Sequence, residues 1–294
     1  MVGVRSLVLA LAAMALPACA QAGDTLRKVR EAGAITLGHR DVSVPFSYLD
    51  DNQKPVGFFM DVCGRIVDAM KAELKMPGLQ TKLQAIQLGN QIPLIENGTI
   101  DIVCGPATNT VERQKVVAFS NSIFVSSIRA VVARESGIRT FEDLGGRPVS
   151  LTAGSTSIGL LNARAQEKKF QTNTIVSPDH AGSFLALTTG RTQAFVMDDI
   201  LLAGLVANSA KPDDWRIIED SLRSEPYGLI IRKDDPEFKV FVDRTIGAMV
   251  KGGEFDTLYA KWFLRPIPPR NVNLNFPMTQ PLRDALANPN DKGV

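Results

Sequence analysis

Apolar residues in this chain come in short runs, separated by stretches in which they recur at helical spacing. The segments 34–38, 83–86 and 102–104 read as buried strands, each bounded by polar or turn-forming residues. Between them, 24–32, 57–74 and 91–96 set apolar side chains on one helix face, Leu26 and Val29 in the first and Ile66, Val67 and Met70 in the second. Gly33 and Asn97-Gly98 supply the stops. The order β-α-β-α-β-α predicts a parallel sheet covered by helices. A long apolar strand over 123–132 follows, and the alternation then restarts. Strands over 148–151, 173–176 and 192–196 alternate with helices over 158–168, from His180 onward and over 200–207. A strand over 228–232 leads into helices over 235–251 and 255–263. The tail from Pro266, rich in Pro and Asn, is expected to run over the surface.

The stretch from Asp101 to Arg113 organises this pattern. Ile102, Val103 and Cys104 make a buried strand that Gly105-Pro106 stops. Asn109, with Glu112 three residues on, predicts a capping box at a helix start. Arg113 then lies one turn in, leaning back toward the free amides. With the Thr108 hydroxyl, amides and a guanidinium fork suit a carboxylate. The bland alternative is a capped helix with a solvated arginine. Thr152-Ala153-Gly154-Ser155-Thr156-Ser157 is a second hydroxyl-rich turn that opens a helix. It lacks the Gly-Lys-Ser/Thr ending of a nucleotide-binding loop. Of Asp198 and Asp199, one can cap the helix that follows and the other is left at a strand end to meet a cation. Phe46, in the stiff Val44-Pro45-Phe46-Ser47-Tyr48 loop, is either a wall over a ligand or a core plug, and the plug is the better fit to its surroundings.

Charge and cysteines narrow the class. Lys+Arg 33 against Asp+Glu 31 leaves no basic stripe for nucleic acid. Arg5, the apolar run from Leu7 to Leu16 and Ala20-Gln21-Ala22 predict a cleaved secretory signal over 1–22. A rival cut before Cys19 would make a lipoprotein. The run is too short to span a bilayer, which takes about 20 apolar residues. The expectation is therefore an exported, soluble, periplasmic protein. Export leaves Cys63 and Cys104 free to pair or to stay buried thiols, and neither has a metal-ligand spacing.

Taken together, Gly38-His39-Arg40, Ser43-Val44-Pro45-Phe46-Ser47-Tyr48, Asn97-Gly98-Thr99, Thr108-Asn109 and Val111-Glu112-Arg113-Gln114-Lys115 resemble the periplasmic glutamate/aspartate-binding proteins of ABC importers. The likeness continues through Met197-Asp198-Asp199, Arg232-Lys233-Asp234-Asp235-Pro236, Lys261-Trp262-Phe263 and Pro266-Ile267-Pro268-Pro269. It implies a two-lobe periplasmic binding protein type II fold, α/β, each lobe a mostly parallel sheet flanked by helices, joined by two hinge strands. Lobe one would take 23–125 and 227–294, and lobe two 126–226. An α-amino acid, glutamate or aspartate first, would bind between the lobes and pass to a membrane permease. The protein would act as a monomer without cofactor, metal or catalytic residues. The resemblance assigns the α-carboxylate to Arg113 with Thr108 and the Thr156 turn, and the α-ammonium to Asp198. Arg40 and His180 match positions that meet a side-chain carboxylate, and Phe46 lies in the cleft-lining loop.

Three departures bear on the ligand. The family's second pocket arginine is Gln91 here, and two pocket serines are Leu88 and Pro106. The set that reads the amino-acid backbone is intact, while the side-chain set is thinned. A neutral polar amino acid is therefore an alternative ligand. An exported enzyme like the cyclohexadienyl dehydratases, and the ligand domain of a sensor, are alternative functions on the same scaffold.

Overall fold

The structure, a computed structural model, describes residues 25–294. The predicted signal, both cleavage readings and Cys19 lie outside the described residues. Among the described residues no helix is long and apolar enough to cross a membrane.

The chain opens with α1 (Thr25–Ala32) and β1 (Ala34–His39). A small antiparallel sheet follows, β2 (Val42–Ser43), β3 (Ser47–Leu49) and β4 (Pro55–Val56). Then come α2 (Phe58–Glu73), β5 (Gln80–Ala85), α3 (Gln91–Glu96), β6 (Ile102–Cys104) and β7 (Val117–Phe119). The second unit contains β8 (Phe124–Ala133), β9 (Pro148–Thr152), α4 (Ser157–Lys168), β10 (Asn173–Ser177), α5 (His180–Thr188), β11 (Ala194–Asp198), α6 (Asp199–Ala207) and β12 (Trp215–Ile217). The chain returns through β13 (Ser224–Tyr227), β14 (Ile230–Arg232), α7 (Pro236–Lys251) and α8 (Glu254–Phe263). It ends with a hairpin of β15 (Pro266–Ile267) and β16 (Val272–Asn273) and with α9 (Gln280–Ala287).

Two sheets result. The first has the order β5-β1-β6-β14-β7 and the second is built around β10-β9-β11-β8-β12. Each has a parallel half: β1 runs parallel to β5 and β6, and β9 to β10 and β11. Each also has an antiparallel half, formed by β14 with β6 and β7, and by β8 with β11 and β12. The purely parallel sheet expected from the helix–strand alternation is therefore a mixed one. The antiparallel strands are added where the chain leaves one unit and returns from the other, through β8 and β14, which alternation within one unit cannot reveal.

Those connectors are β8 and β13. They pair antiparallel, with Ser126 opposite Glu225 and Phe124 opposite Tyr227. β13 escapes sequence reading because Ser-Glu-Pro-Tyr has neither a strand period nor an apolar run. β5 differs in the other direction. It is an exposed edge strand and not a buried one, with Leu83 half exposed, because it is paired on one side only. The tail also departs from expectation. It contains α9, which Thr279 caps and buried Leu282 anchors.

The larger core is aromatic. Phe46 is fully buried among Phe58, Phe59, Phe124, Tyr227 and Phe263, with ring centroids 4.8–6.5 Å away. Such edge contacts add about 0.5–1.5 kcal/mol each to the burial term. α2 turns Phe58, Phe59, Val62, Cys63, Ile66, Val67 and Met70 into this core. Cys63 is disulfide-bonded to Cys104 at the end of β6, with Cα atoms 6.1 Å apart, which resolves the question the sequence left open. Closing a 41-residue separation stabilises the fold by about 4 kcal/mol in the chain-entropy account.

Candidate functional site

The connecting strands bring the C-terminal strand ends of both sheets together, where open α/β sheets hold ligands. A small, nearly filled cavity lies there. Leu88, Pro106, Thr108 and Arg113 line it from the first unit, and Thr156, His180, Met197 and Asp198 from the second. Tyr227 of β13 closes the hinge side.

Arg113 opens a short 3-10 turn over Arg113–Lys115. Its amide donates to Thr110 Oγ1 at 3.1 Å, Glu112 at the cap position makes no side-chain cap hydrogen bond, and the predicted Asn109–Glu112 capping box is not formed. Asn109 is instead held by Gln114 and by the Asp291 carbonyl, while Glu112 pairs with Lys115. The guanidinium still leans back as expected. Its Nη1 donates to the Thr108 carbonyl at 2.8 Å and its Nη2 to the Gly154 carbonyl of the opposite unit at 3.0 Å. Gly154 has φ +76, and a Cβ on it would come within 3.0 Å of Gly89 Cα. The two units are thus closed on each other across the cavity, and only glycine tolerates both the conformation and the approach. Burial pushes the Arg113 pKa down, and the Glu225 and Asp198 carboxylates oppose that shift.

The two aspartates divide their work. Asp199 accepts from the Ser126 hydroxyl at 2.6 Å, the Ser127 amide at 3.2 Å and the Ile200 amide at 2.8 Å. It is the structural member. Asp198 is 2% exposed, and its Oδ1 has no hydrogen-bond partner. Burial, reinforced by the charge of Glu225, pushes its carboxyl up to about 8, against a smaller opposing pull from the Tyr227 hydroxyl. A buried carboxylate left in this condition favours an incoming cation.

Glu225 escaped sequence reading. It is fully buried on β13 and accepts from Thr156 Oγ1 at 3.0 Å and from Arg223 Nε at 2.9 Å. The one available signal was a charged residue between turn and strand, which usually marks a solvated edge. His180 is also fully buried, with Nδ1 3.0 Å from Thr152 Oγ1. Burial, and then the nearby Arg40 charge, push its pKa down to about 3, so the imidazole is neutral at physiological pH.

Thr108, Arg113, Thr156, His180 and Asp198 therefore meet on one cavity. Arg40 and Gln91 do not line it. Both are buried, with Arg40 Nη1 and Gln91 Oε1 lacking hydrogen-bond partners, and Arg40 is close enough to the cavity for its charge to act on His180 and Arg113. Among the described residues Arg40 has no carboxylate at ion-pair distance. Burial first, and then Arg113, lower its pKa to about 10. Phe46 is not at the cavity: the cleft-lining role is replaced by the core-plug role, and Phe46 reaches the site only by buttressing Tyr227. A compact apolar ring next to five other rings is worth more buried than over a small polar cavity.

Two α/β lobes, two crossing strands and a small charged cavity between them define a type II periplasmic binding protein. The sequence profile of the bacterial extracellular solute-binding proteins, family 3, matches residues 35–265, and the chain belongs to that family. It is 45% identical over 282 residues to the glutamate/aspartate import solute-binding protein of Escherichia coli strain K12, covering 96% of this chain and 93% of that one. It is likewise 45% identical over 271 residues to the L-glutamate/L-aspartate-binding protein of Pseudomonas aeruginosa, covering 92% and 90%. Among solved structures it is similar to an ancestral amino-acid-binding protein described as a precursor of cyclohexadienyl dehydratase. That similarity has a TM-score of 0.70 and 28% identity and covers 81% of this chain and 99% of that one. All three are binding proteins, which favours binding over the enzymatic alternative.

Proposed function

We propose that this protein is an exported solute-binding protein that captures L-glutamate or L-aspartate between its lobes and delivers it to the permease of an ABC importer. Lobe one comprises 23–125 and 227–294, lobe two comprises 126–226, and closure is a hinge motion about β8 and β13. The leader is removed and the mature monomer works in the periplasm. Arg113, with Thr108 and the Thr156 turn, takes the α-carboxylate, and Asp198 takes the α-ammonium. Arg40, with neutral His180 as hydrogen-bond partner, takes the side-chain carboxylate, and Gln91 adds a polar group beside it.

The observation that carries this reading is a pair of unmet buried groups, Asp198 Oδ1 on the cavity lining and Arg40 Nη1 off it but near His180. They call for a ligand that brings a cation to the first and an anion to the second. The relatives' names point to the same ligands. A neutral polar amino acid is the second reading, favoured by Leu88 and Pro106, which line the cavity and bring no side-chain donor. Isothermal titration of ligand-stripped protein against the common amino acids separates the two. Glutamate and aspartate should bind at least 100-fold more tightly than glutamine and asparagine. The reverse order would replace the first reading with the second.

A further inference from the structure

Residues 290–294 lie on the outer side of the loop that carries Thr108 and Arg113. On its inner side this loop is paired with the hinge strand: Asn109 N donates to the Pro226 carbonyl at 2.8 Å, and Thr108 bridges Tyr227. On its outer side Val294 N donates to the Asn109 carbonyl at 3.0 Å, and Val111 N donates to the Val294 carbonyl at 3.1 Å. The Asp291 carbonyl accepts from Asn109 Nδ2 at 2.8 Å and from Gln114 Nε2 at 2.7 Å. The segment is itself held to the rest of lobe one. Ser122 N donates to the Asn290 carbonyl at 2.9 Å, and Lys239 of α7 pairs with the Asp291 carboxylate at 3.1 Å. Gly293 runs so close that a Cβ on it would meet Val111 N at 2.7 Å.

We propose that residues 290–294 form a strap that pre-sets the carboxylate-binding loop, so that Thr108 and Arg113 stay in binding geometry on lobe one when the lobes part. The physical reason is that the loop has two edges. The inner edge belongs to a strand that must move as the hinge opens. Without the strap the outer edge would lose both of its backbone hydrogen bonds to Val294, and the loop would follow the hinge. Ordering it again would then be charged against ligand binding. Gly293 and Asp291 are positioning residues here, since neither lines the cavity.

This inference rests on the amino-acid reading above, and the test separates the two. Gly293→Val, Asp291→Asn and, as a control, Ile138→Val are compared with the parent protein by thermal melting, by amide hydrogen exchange over 107–114 without ligand, and by titration with L-glutamate. Ile138 is buried in the separate core of lobe two. Gly293→Val should speed exchange over 107–114 and weaken L-glutamate about 10-fold. Asp291→Asn should do both to a lesser degree, and Ile138→Val should lower Tm without either effect. Faster exchange with unchanged affinity would reduce the strap to a stability element, and unchanged exchange would show that it does not hold the loop. If Gly293→Val does not fold, Asp291→Asn decides on the same readouts. A parent protein that ignores L-glutamate rejects the ligand reading, while exchange still decides whether the strap grips the loop.

Discussion

The two ends of the cleft are built on different plans. At the α-amino-acid end, charges face each other across the cavity: Arg113 on one lobe, Asp198 on the other and Glu225 on the strand between them. At the proposed side-chain end, Arg40 is buried off the cavity lining with no ion-pair partner among the described residues, near a neutral His180. The first end is near electrostatic balance before a ligand arrives and gains chiefly from geometry. The second holds a buried cation that the Asp41 and Asp179 charges offset only in part, and gains from charge. On the proposed reading, the first end would accept any α-amino acid and the second would select among them.

Arg113→Ala tests the balanced end most severely. It leaves the α-carboxylate without its fork and Asp198 and Glu225 without their shared counter-charge. Titration should show L-glutamate weakened about 1000-fold, close to 4 kcal/mol. Unchanged affinity would overturn the carboxylate assignment. Arg40→Met probes the other end. It should weaken L-glutamate about 100-fold while leaving L-glutamine nearly unaffected. Equal losses for both ligands would mean that Arg40 does not read the side chain.

The pH dependence sharpens the contrast. Asp198 is raised in the folded, ligand-free site to about 8, well above an unfolded aspartate near 4. A raised carboxyl keeps its proton in the folded state after the unfolded chain has lost it. Its contribution to stability is therefore full below pH ~4 and is lost as pH rises toward ~8. Urea midpoints of ligand-free protein should fall across that window, and Asp198→Asn should flatten the fall. The α-ammonium favours the ionised form, so binding near pH 7 should release up to about one proton. Titration in buffers of different ionisation enthalpy measures that release. No comparable release should come from the side-chain end, since His180 is already neutral.

Glu225→Gln is the mildest test. It keeps an acceptor for Thr156 but removes the charge that raises Asp198. L-Glutamate affinity should change by no more than about 10-fold, while proton release on binding should shrink. If release is unaltered, burial alone governs Asp198, and Glu225 serves only to hold Thr156 and Arg223.

The helices over 57–74, 91–96, 158–168, 200–207 and 235–251 were legible because apolar period and cap or stop residues agree over several turns. The site residues that meet on the cavity were legible for a related reason. Thr108, Arg113, Thr156, His180 and Asp198 all lie at a strand end or a helix start, and such positions are written locally. The capping box at Asn109 misled because a competing partner, the Asp291 carbonyl, lies 182 residues away. For Phe46 the core plug preferred from its surroundings is what is observed, and its five ring neighbours come from four parts of the chain that only the fold brings together.

By itself, the sequence determined the two β/α units, their restart after residue 123, the export expectation and the motifs on which the proposed clamp rests. Each depends on periodicity, on caps or on short motifs, so neighbours in sequence suffice. Tertiary structure alone decided the Cys63–Cys104 bond, the pairing of β8 with β13, the burial of Glu225, the partition of labour between Asp198 and Asp199, and the strap at 290–294. These depend on which groups face each other after the chain has crossed between lobes twice. A carboxylate's charge state and a loop's second edge are set by such neighbours, and no local pattern encodes them.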